Sequence, residues 1–151
     1  MNRRNIIAAT VALVVTTVSR RISLAATSLG KIDVMRNPGC NCCEKWSAGL
    51  KAAGFDVNMS DSPDLEAYRK SLGVPADLAG CHTGKIDGYI VEGHVPPAEI
   101  IKMLRERPKA AGLAVSGMPM GSPGMEMEGH SEPYDVMLFK GDGSRVVFAK
   151  Y

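Results

Sequence analysis

Three of the four cysteines in this chain lie within four consecutive residues, as Cys40, Cys42 and Cys43. The fourth cysteine, Cys81, is followed directly by His82. Thiolates and imidazoles bind soft and borderline metal ions, and thiolates also exchange disulfides. The grouping therefore indicates sulfur or metal chemistry rather than a set of scattered structural bridges.

The first alternative is thiol redox chemistry. Cys40 and Cys43 form a C-x-x-C pair between a predicted strand and a predicted helix, which is the setting of a thioredoxin-like redox motif. The start of a helix stabilises a thiolate, because its unpaired backbone N–H groups and its dipole favour negative charge. A thiol–disulfide oxidoreductase acting on protein cysteines is consistent with this placement.

The extra cysteine, Cys42, favours metal binding instead. An exchanging dithiol needs one attacking and one resolving sulfur, and a third thiol inside the motif invites wrong pairing. Soft thiolate sets select Cu(I) or zinc, copper binds above zinc in the Irving–Williams order, and bridging thiolates allow a multinuclear cluster. Zinc sites usually take two C-x₂₋₄-C pairs, which the cluster does not supply, and this argues against zinc. A zinc-stabilised structural domain is kept as a third alternative. Structural disulfides are disfavoured, because bridges between such close neighbours close very small loops.

Histidines and methionines provide further candidate ligands. His82 would lie near the cluster if Cys81 reaches it, and His94 lies at a predicted strand end, whereas His130 lies in a Gly/Pro-rich segment. Thioethers are soft ligands for Cu(I), so the methionines of that segment could form a lid or transfer loop, or could simply pack over the domain. They are Met118, Met120, Met125 and Met127.

The N-terminus has the pattern of an export signal. Residues 1–5 are basic, residues 6–18 are apolar and uncharged, and small residues follow at 23, 25 and 26. The apolar stretch is shorter than the roughly 20 residues that span a bilayer, so residues 1–26 are predicted to be a signal peptide. Arg20 and Arg21 are unusual after such a stretch, which keeps an uncleaved membrane anchor as an alternative. Export predicts a periplasmic location.

The remaining chain, residues 27–151, is predicted to form one metal-binding domain. The signal holds four arginines and no acidic residue, so its removal leaves 14 basic and 16 acidic residues and changes the formal charge from +2 to −2. No basic patch interleaved with aromatic residues remains, which argues against a nucleic-acid partner. Contact with a membrane is expected only through an uncleaved N-terminal segment.

Hydrophobic periodicity and turn residues predict an α/β fold with a central mixed sheet, about three helices, a Met/Gly/Pro-rich loop over residues 116–133 and a C-terminal hairpin. The elements in order are strand 31–36, helix 42–53, strand 55–59, a helix with Ser62 as N-cap and Pro63 at its first position, a hairpin within 81–92, a helix from Pro97 to Pro108, and a hairpin of strands 134–139 and 146–149. The first strand, helix and strand favour a parallel βαβ start.

Four stretches together resemble the CopG-type copper-resistance family of exported bacterial proteins, over nearly all of residues 31–151. They are residues 37–43 (Asn-Pro-Gly-Cys-Asn-Cys-Cys), 74–75 with 81–83 (Val-Pro and Cys-His-Thr), 88–89 with 92–96 (Gly-Tyr and Glu-Gly-His-Val-Pro) and 117–125 (Gly-Met-Pro-Met-Gly-Ser-Pro-Gly-Met). The resemblance implies a thioredoxin-like fold whose cysteines hold a cysteine-bridged Cu(I) cluster. All four cysteines match the family's cysteines, and His94 matches a family motif.

Residues and resemblance together predict a periplasmic protein that sequesters copper, mainly Cu(I), in copper resistance. Redox cycling between Cu(II) and Cu(I) is a secondary expectation, and the expected partners are copper ions and other periplasmic copper-handling or efflux proteins. The predicted metal ligands are Cys40, Cys42, Cys43, Cys81, His94 and His82. No catalytic residue is predicted for this role, and an oxidoreductase is the alternative.

Overall fold

The structure is a computed structural model that describes residues 28–151. Its centre is a seven-stranded mixed sheet. The strands are β1 (Lys31–Arg36), β2 (Asp56–Asp61), β3 (His82–Ile86), β4 (Tyr89–Glu92), β5 (Gly112–Ala114), β6 (Asp135–Phe139) and β7 (Arg145–Lys150). Their order across the sheet is β2-β1-β3-β4-β5-β6-β7. The pairs β1–β2 and β4–β5 are parallel, and the other neighbouring pairs are antiparallel. The predicted signal, residues 1–26, lies outside the described residues.

Three α-helices accompany the sheet in this part of the chain: α1 (Asn41–Ala52), α2 (Leu65–Ser71) and α3 (Pro97–Glu106), with a short 3₁₀ helix at Ala76–Leu78. Trp46 and Leu50 of α1 are fully buried, as are Ile100 and Met103 of α3. Their three- and four-residue spacings place each pair on one helix face, and both faces contribute to the same hydrophobic core. This confirms the predicted α/β, thioredoxin-like arrangement with its parallel βαβ start.

The strand pairing brings the chemically active residues to one end of the sheet. Strands β1 and β3 run antiparallel, with Arg36 opposite His82. The end of β1, which leads to Cys40, therefore lies beside the start of β3, which Cys81 precedes. Strand β4 returns antiparallel to β3 and delivers His94 to the same end.

The predicted start of α2 is wrong. The N-cap is Asp64, whose side-chain oxygen accepts a hydrogen bond from the backbone N–H of Ala67 at 2.9 Å. Ser62 is buried, and its backbone N–H donates to the carbonyl of Arg36 at 2.8 Å. Serine and aspartate are both good N-caps, and here the pairing of Ser62 with the end of β1 leaves that role to Asp64.

Strand β5 was absent from the sequence prediction. It has only three residues, Gly112–Ala114, all of them buried, so it shows no alternation that periodicity could detect. Gly112 fits because a Cβ there would come within 1.9 Å of the Ile90 carbonyl oxygen. The strand exists because it pairs with β4 on one side and β6 on the other.

Residues 116–133 contain no helix or strand, as predicted, apart from an isolated bridge between Met127 and His130. The segment is nevertheless held by local hydrogen bonds, including Gly121 N–H to Met125 carbonyl at 3.0 Å and Glu132 N–H to Met120 carbonyl at 2.9 Å. Within residues 28–151, no helix combines the length and the hydropathy needed to cross a membrane.

Candidate metal centre

The four cysteine sulfurs meet where α1 begins. Cys40 is the N-cap residue, with extended backbone angles, and Cys42 and Cys43 lie in the first turn. Their Sγ atoms and that of Cys81 all lie within 4.8 Å of one another. Cys42 Sγ is 3.5 Å from Cys40 Sγ and 3.6 Å from Cys81 Sγ, and Cys43 Sγ is also 3.6 Å from Cys81 Sγ. The structure thus brings together all four predicted cysteine ligands.

Two of these sulfurs are oxidised. Cys40 and Cys43 form a disulfide, which leaves Cys42 and Cys81 as free thiols. The bridge joins the predicted C-x-x-C pair, whose Cα atoms the first helical turn brings to 5.4 Å, well within bridging distance. A set of four thiolate ligands accordingly describes the reduced protein.

A second donor group shares Cys81 with the first. Cys81 Sγ lies 3.2 Å from His82 Nδ1 and 2.9 Å from His94 Nε2, and donor atoms of all three residues lie within 4.8 Å of one another. The Nδ1–H of His94 donates to the carbonyl of Pro123 at 2.8 Å. That bond leaves the Nε2 lone pair directed at the sulfur, which is the usual way a second hydrogen bond orients a ligating histidine.

His82 is held by its packing against α1. The side chain is fully buried, and its ring centroid lies 4.1 Å from that of Trp46 and 5.0 Å from that of His94. The indole N–H of Trp46 donates to the carbonyl of Val95 at 2.9 Å. His82 Nε2 is buried without a hydrogen-bond partner among residues 28–151, so Nδ1, which faces Cys81, is the nitrogen placed for ligation.

Burial controls the charges of this site. It raises the pKa of the Cys81 thiol to about 12, and the hydrogen bond with Cys42 adds to that rise. Burial, reinforced by nearby His94, lowers the pKa of His82 to about 3, and it also lowers the pKa of His94. Both imidazoles are therefore neutral at neutral pH and free to ligate. The thiol stays protonated until a cation displaces its proton, as expected of a metal site.

The Met/Gly/Pro-rich segment covers the start of α1. Gly124, at φ +90°, approaches so closely that a Cβ there would lie 2.6 Å from the carbonyl oxygen of Cys42 and 2.9 Å from the backbone nitrogen of Trp46. The adjacent Pro123 carbonyl holds His94. The segment therefore contacts the domain through Pro123 and Gly124, and the role of its methionines stays a prediction.

Several site neighbours were absent from the predicted ligand set. The Pro123 carbonyl, the Trp46 ring and Gly124 take part through their positions in space, and of these only Pro123 and Gly124 lie in a stretch that carries the family resemblance. His130 is exposed and belongs to neither donor group; its Nδ1 donates to the carbonyl of Glu128 at 3.1 Å. Met118 and Met127 are exposed by 54% and 57%.

The donor set fits a soft metal ion. Four cysteine sulfurs and two neutral imidazoles converge with no carboxylate in either group, and carboxylate, carbonyl and water ligands are what hard ions such as magnesium and calcium prefer. Thiolates select Cu(I) and zinc, and imidazoles suit copper and zinc. The chemistry of the site therefore restricts the metal to a soft or borderline transition ion.

Comparisons with known proteins agree with this chemistry. A family model described as a protein of unknown function, DUF411, matches residues 78–125. The solved structure titled copper resistance protein CopG, form 2, is 47% identical, with 81% of this chain and 98% of that chain covered and a TM-score of 0.77. Form 1 is 48% identical, with 80% and 96% covered and a TM-score of 0.76. No curated protein sequence matches this chain.

Proposed function

The chain belongs to the CopG family of copper-resistance proteins, and on that premise we propose that it sequesters Cu(I) through its four cysteines in copper resistance. The observation that carries the proposal is the convergence of the Sγ atoms of Cys40, Cys42, Cys43 and Cys81 within 4.8 Å. Thiolates at this spacing suit a thiophilic ion. Reduction of the Cys40–Cys43 disulfide makes all four available.

A multinuclear, cysteine-bridged cluster is supported by the double membership of Cys81. Its sulfur belongs both to the four-cysteine group and to the group with His82 and His94. A thiolate has lone pairs for more than one metal, so Cys81 can bridge an ion held by the cysteines and an ion held by the histidines. A cluster that mixes thiolate and imidazole donors also suits both copper oxidation states, which supports Cu(I)/Cu(II) redox as a secondary role.

The proposed setting is the bacterial periplasm, with residues 1–26 as the export signal. Support comes from the basic and apolar pattern of that segment in the sequence. Other periplasmic copper-handling or efflux proteins are the proposed partners, since sequestered copper must be exchanged with them.

The test is metal analysis of the mature protein, reduced and loaded with Cu(I) without oxygen. We expect more than one copper per wild-type chain and a clear loss of copper in Cys42→Ser. Ser47→Ala is a matched control, because Ser47 lies one turn further along α1 and its buried hydroxyl has no hydrogen-bond partner among residues 28–151. Copper contents that are equal in wild type and Cys42→Ser would refute the cysteine cluster.

The Cys40–Cys43 disulfide favours one other candidate, a thiol–disulfide oxidoreductase. The bridge lies at the start of α1 directly after β1, where thioredoxin-like enzymes place their redox pair. In that reaction a substrate disulfide is reduced to two thiols while Cys40 and Cys43 are oxidised to the disulfide. Insulin reduction by the metal-free protein, retained in Cys42→Ser and lost in Cys40→Ser, would favour this enzyme over the copper protein.

A further inference from the structure

We propose that Arg69 and Glu92 are positioning residues that hold Cys81 and His82 in place for metal binding. The inference rests on the proposed copper function, since it assigns residues that set the geometry of the same site. Neither residue belongs to a donor group. They act through the Gly80 backbone before the Cys81–His82 dipeptide and through the Thr83 hydroxyl after it.

Glu92 is a fully buried carboxylate at the end of β4. Its Oε1 accepts hydrogen bonds from the backbone N–H of Gly80 and from Arg69 Nε, each at 2.7 Å. Its Oε2 accepts from the Thr83 hydroxyl at 2.6 Å. One carboxylate thus holds Gly80, immediately before the Cys81–His82 dipeptide, and Thr83, immediately after it.

Arg69, which lies on α2, provides further hydrogen bonds to the same segment. Its guanidinium pairs with Glu92 and also donates to the carbonyl oxygen of Gly80. The Gly80 backbone is therefore held through its N–H by a carboxylate and through its carbonyl by a guanidinium. Hydrogen bonds to charged groups are the stronger kind, so the backbone leading into Cys81 has little freedom.

Backbone packing passes this restraint to the second donor group. A Cβ on Gly80 would lie only 2.5 Å from the Cα of Gly93, the residue between Glu92 and His94. The N–H of Gly93 donates to the carbonyl of His82 at 3.0 Å. The hydrogen bonds of Glu92 and Arg69 therefore also fix Cys81 relative to His94. This explains why Cys81 Sγ lies 2.9 Å from His94 Nε2.

A structural role alone is the competing explanation. A buried ion pair contributes little net stability, because the cost of removing both charges from water offsets their attraction. Replacing both partners by apolar side chains is often neutral or stabilising. A pair retained only for stability could thus be replaced without loss of copper binding, whereas a positioning pair could not.

The decisive variant is Arg69→Met with Glu92→Leu, compared with wild type and with Arg107→Met. Arg107→Met is the control because Arg107 makes a surface ion pair with Asp87. In reduced protein, competition with a chromogenic Cu(I) chelator should show copper binding about 10–100-fold weaker in the double variant, the loss typical of residues that orient metal ligands. The unfolding midpoint should fall below that of the control, because the buried groups that the pair held lose their hydrogen-bond partners. Unchanged copper affinity in a folded double variant would overturn the proposal.

Val136→Ala is the control for general destabilisation, because it removes buried core atoms from β6, three strands from β3. If its unfolding midpoint falls as far as that of the double variant while its copper affinity stays at the wild-type level, the loss of affinity in the double variant is due to the missing Arg69 and Glu92 hydrogen bonds. If copper affinity falls equally in both variants, Arg69 and Glu92 contribute only to stability.

Thiol labelling of metal-free protein tests, independently of copper, whether Glu92 restrains Cys81. In a Cys42→Ser background, oxidation of Cys40 and Cys43 leaves Cys81 as the one free thiol. Adding Glu92→Leu should speed labelling of Cys81 by about tenfold or more, as locally open states become common when hydrogen bonds to a charged group are lost. Equal labelling rates with and without Glu92→Leu would refute this restraint. If wild type binds no copper, the proposed function fails while this measurement still decides the role of Glu92.

Discussion

The redox state of the Cys40–Cys43 pair should control how much copper the protein binds. The structure contains one disulfide and two free thiols, so reduction should raise the titratable thiols from two to four per chain. Oxidised protein keeps Cys42, Cys81 and two histidines, enough donors for about one four-coordinate ion. Reduced protein offers two more sulfurs and should bind more than one copper.

The assay is paired thiol titration and metal analysis of protein isolated without reductant and after reduction in the absence of oxygen. The variant Cys40→Ser/Cys43→Ser is the matched control, since it keeps two thiols in both states and its copper content should not depend on reduction. Four titratable thiols before reduction would show that the disulfide is absent in solution. Equal copper contents in oxidised and reduced wild type would show that Cys40 and Cys43 are not ligands.

Three further predictions concern the surroundings of the site. Burial places the pKa of His82 at about 3, below the roughly 6.5 of an unfolded histidine. The unfolded state binds more protons between these values, so His82 should lower the stability of metal-free protein by about 1.4 kcal/mol per pH unit as pH drops below 6.5. Urea unfolding of wild type and His82→Phe from pH 7 to 4.5 checks this, and equal slopes in the two proteins would contradict it. Gly124→Ala forces a Cβ to 2.6 Å from the Cys42 carbonyl at positive φ and should cost more than about 1 kcal/mol, measured by the same unfolding; an unchanged midpoint would mean the loop does not rest on α1. Trp46→Phe removes the donor to the buried Val95 carbonyl and should cost about 1–3 kcal/mol, with wild-type stability as the contrary result.

Much of the fold could be predicted because most of its helices and strands follow from local sequence patterns. The alternation of Lys31–Arg36 predicted β1, the turn at Asp87 and Gly88, both at positive φ, fits the predicted β3–β4 hairpin, and Pro97 predicted the start of α3. Local patterns failed where an element depends on its neighbours. Strand β5 is three residues long, and only pairing with β4 and β6 makes it a strand.

For the site, too, residue types were predictable from the sequence, whereas proximity depended on the tertiary structure. Clustering of Cys40, Cys42 and Cys43 with a helix pattern indicated the thiol chemistry, since residue types and spacing suffice to recognise soft ligands. The C-x-x-C spacing of Cys40 and Cys43 fits the bridge that they form, but it did not show that Cys81 reaches the same cluster.

The sequence by itself determined which atoms are available for chemistry: four thiols and two histidines near one strand-to-helix junction and one hairpin. Only the tertiary structure decided that Cys81 belongs to both donor groups. It also decided that buried Glu92 holds the Gly80 backbone before Cys81 and the Thr83 hydroxyl after His82. The physical reason is that side-chain chemistry is a property of each residue, whereas proximity and burial arise from antiparallel pairing of segments far apart in the chain.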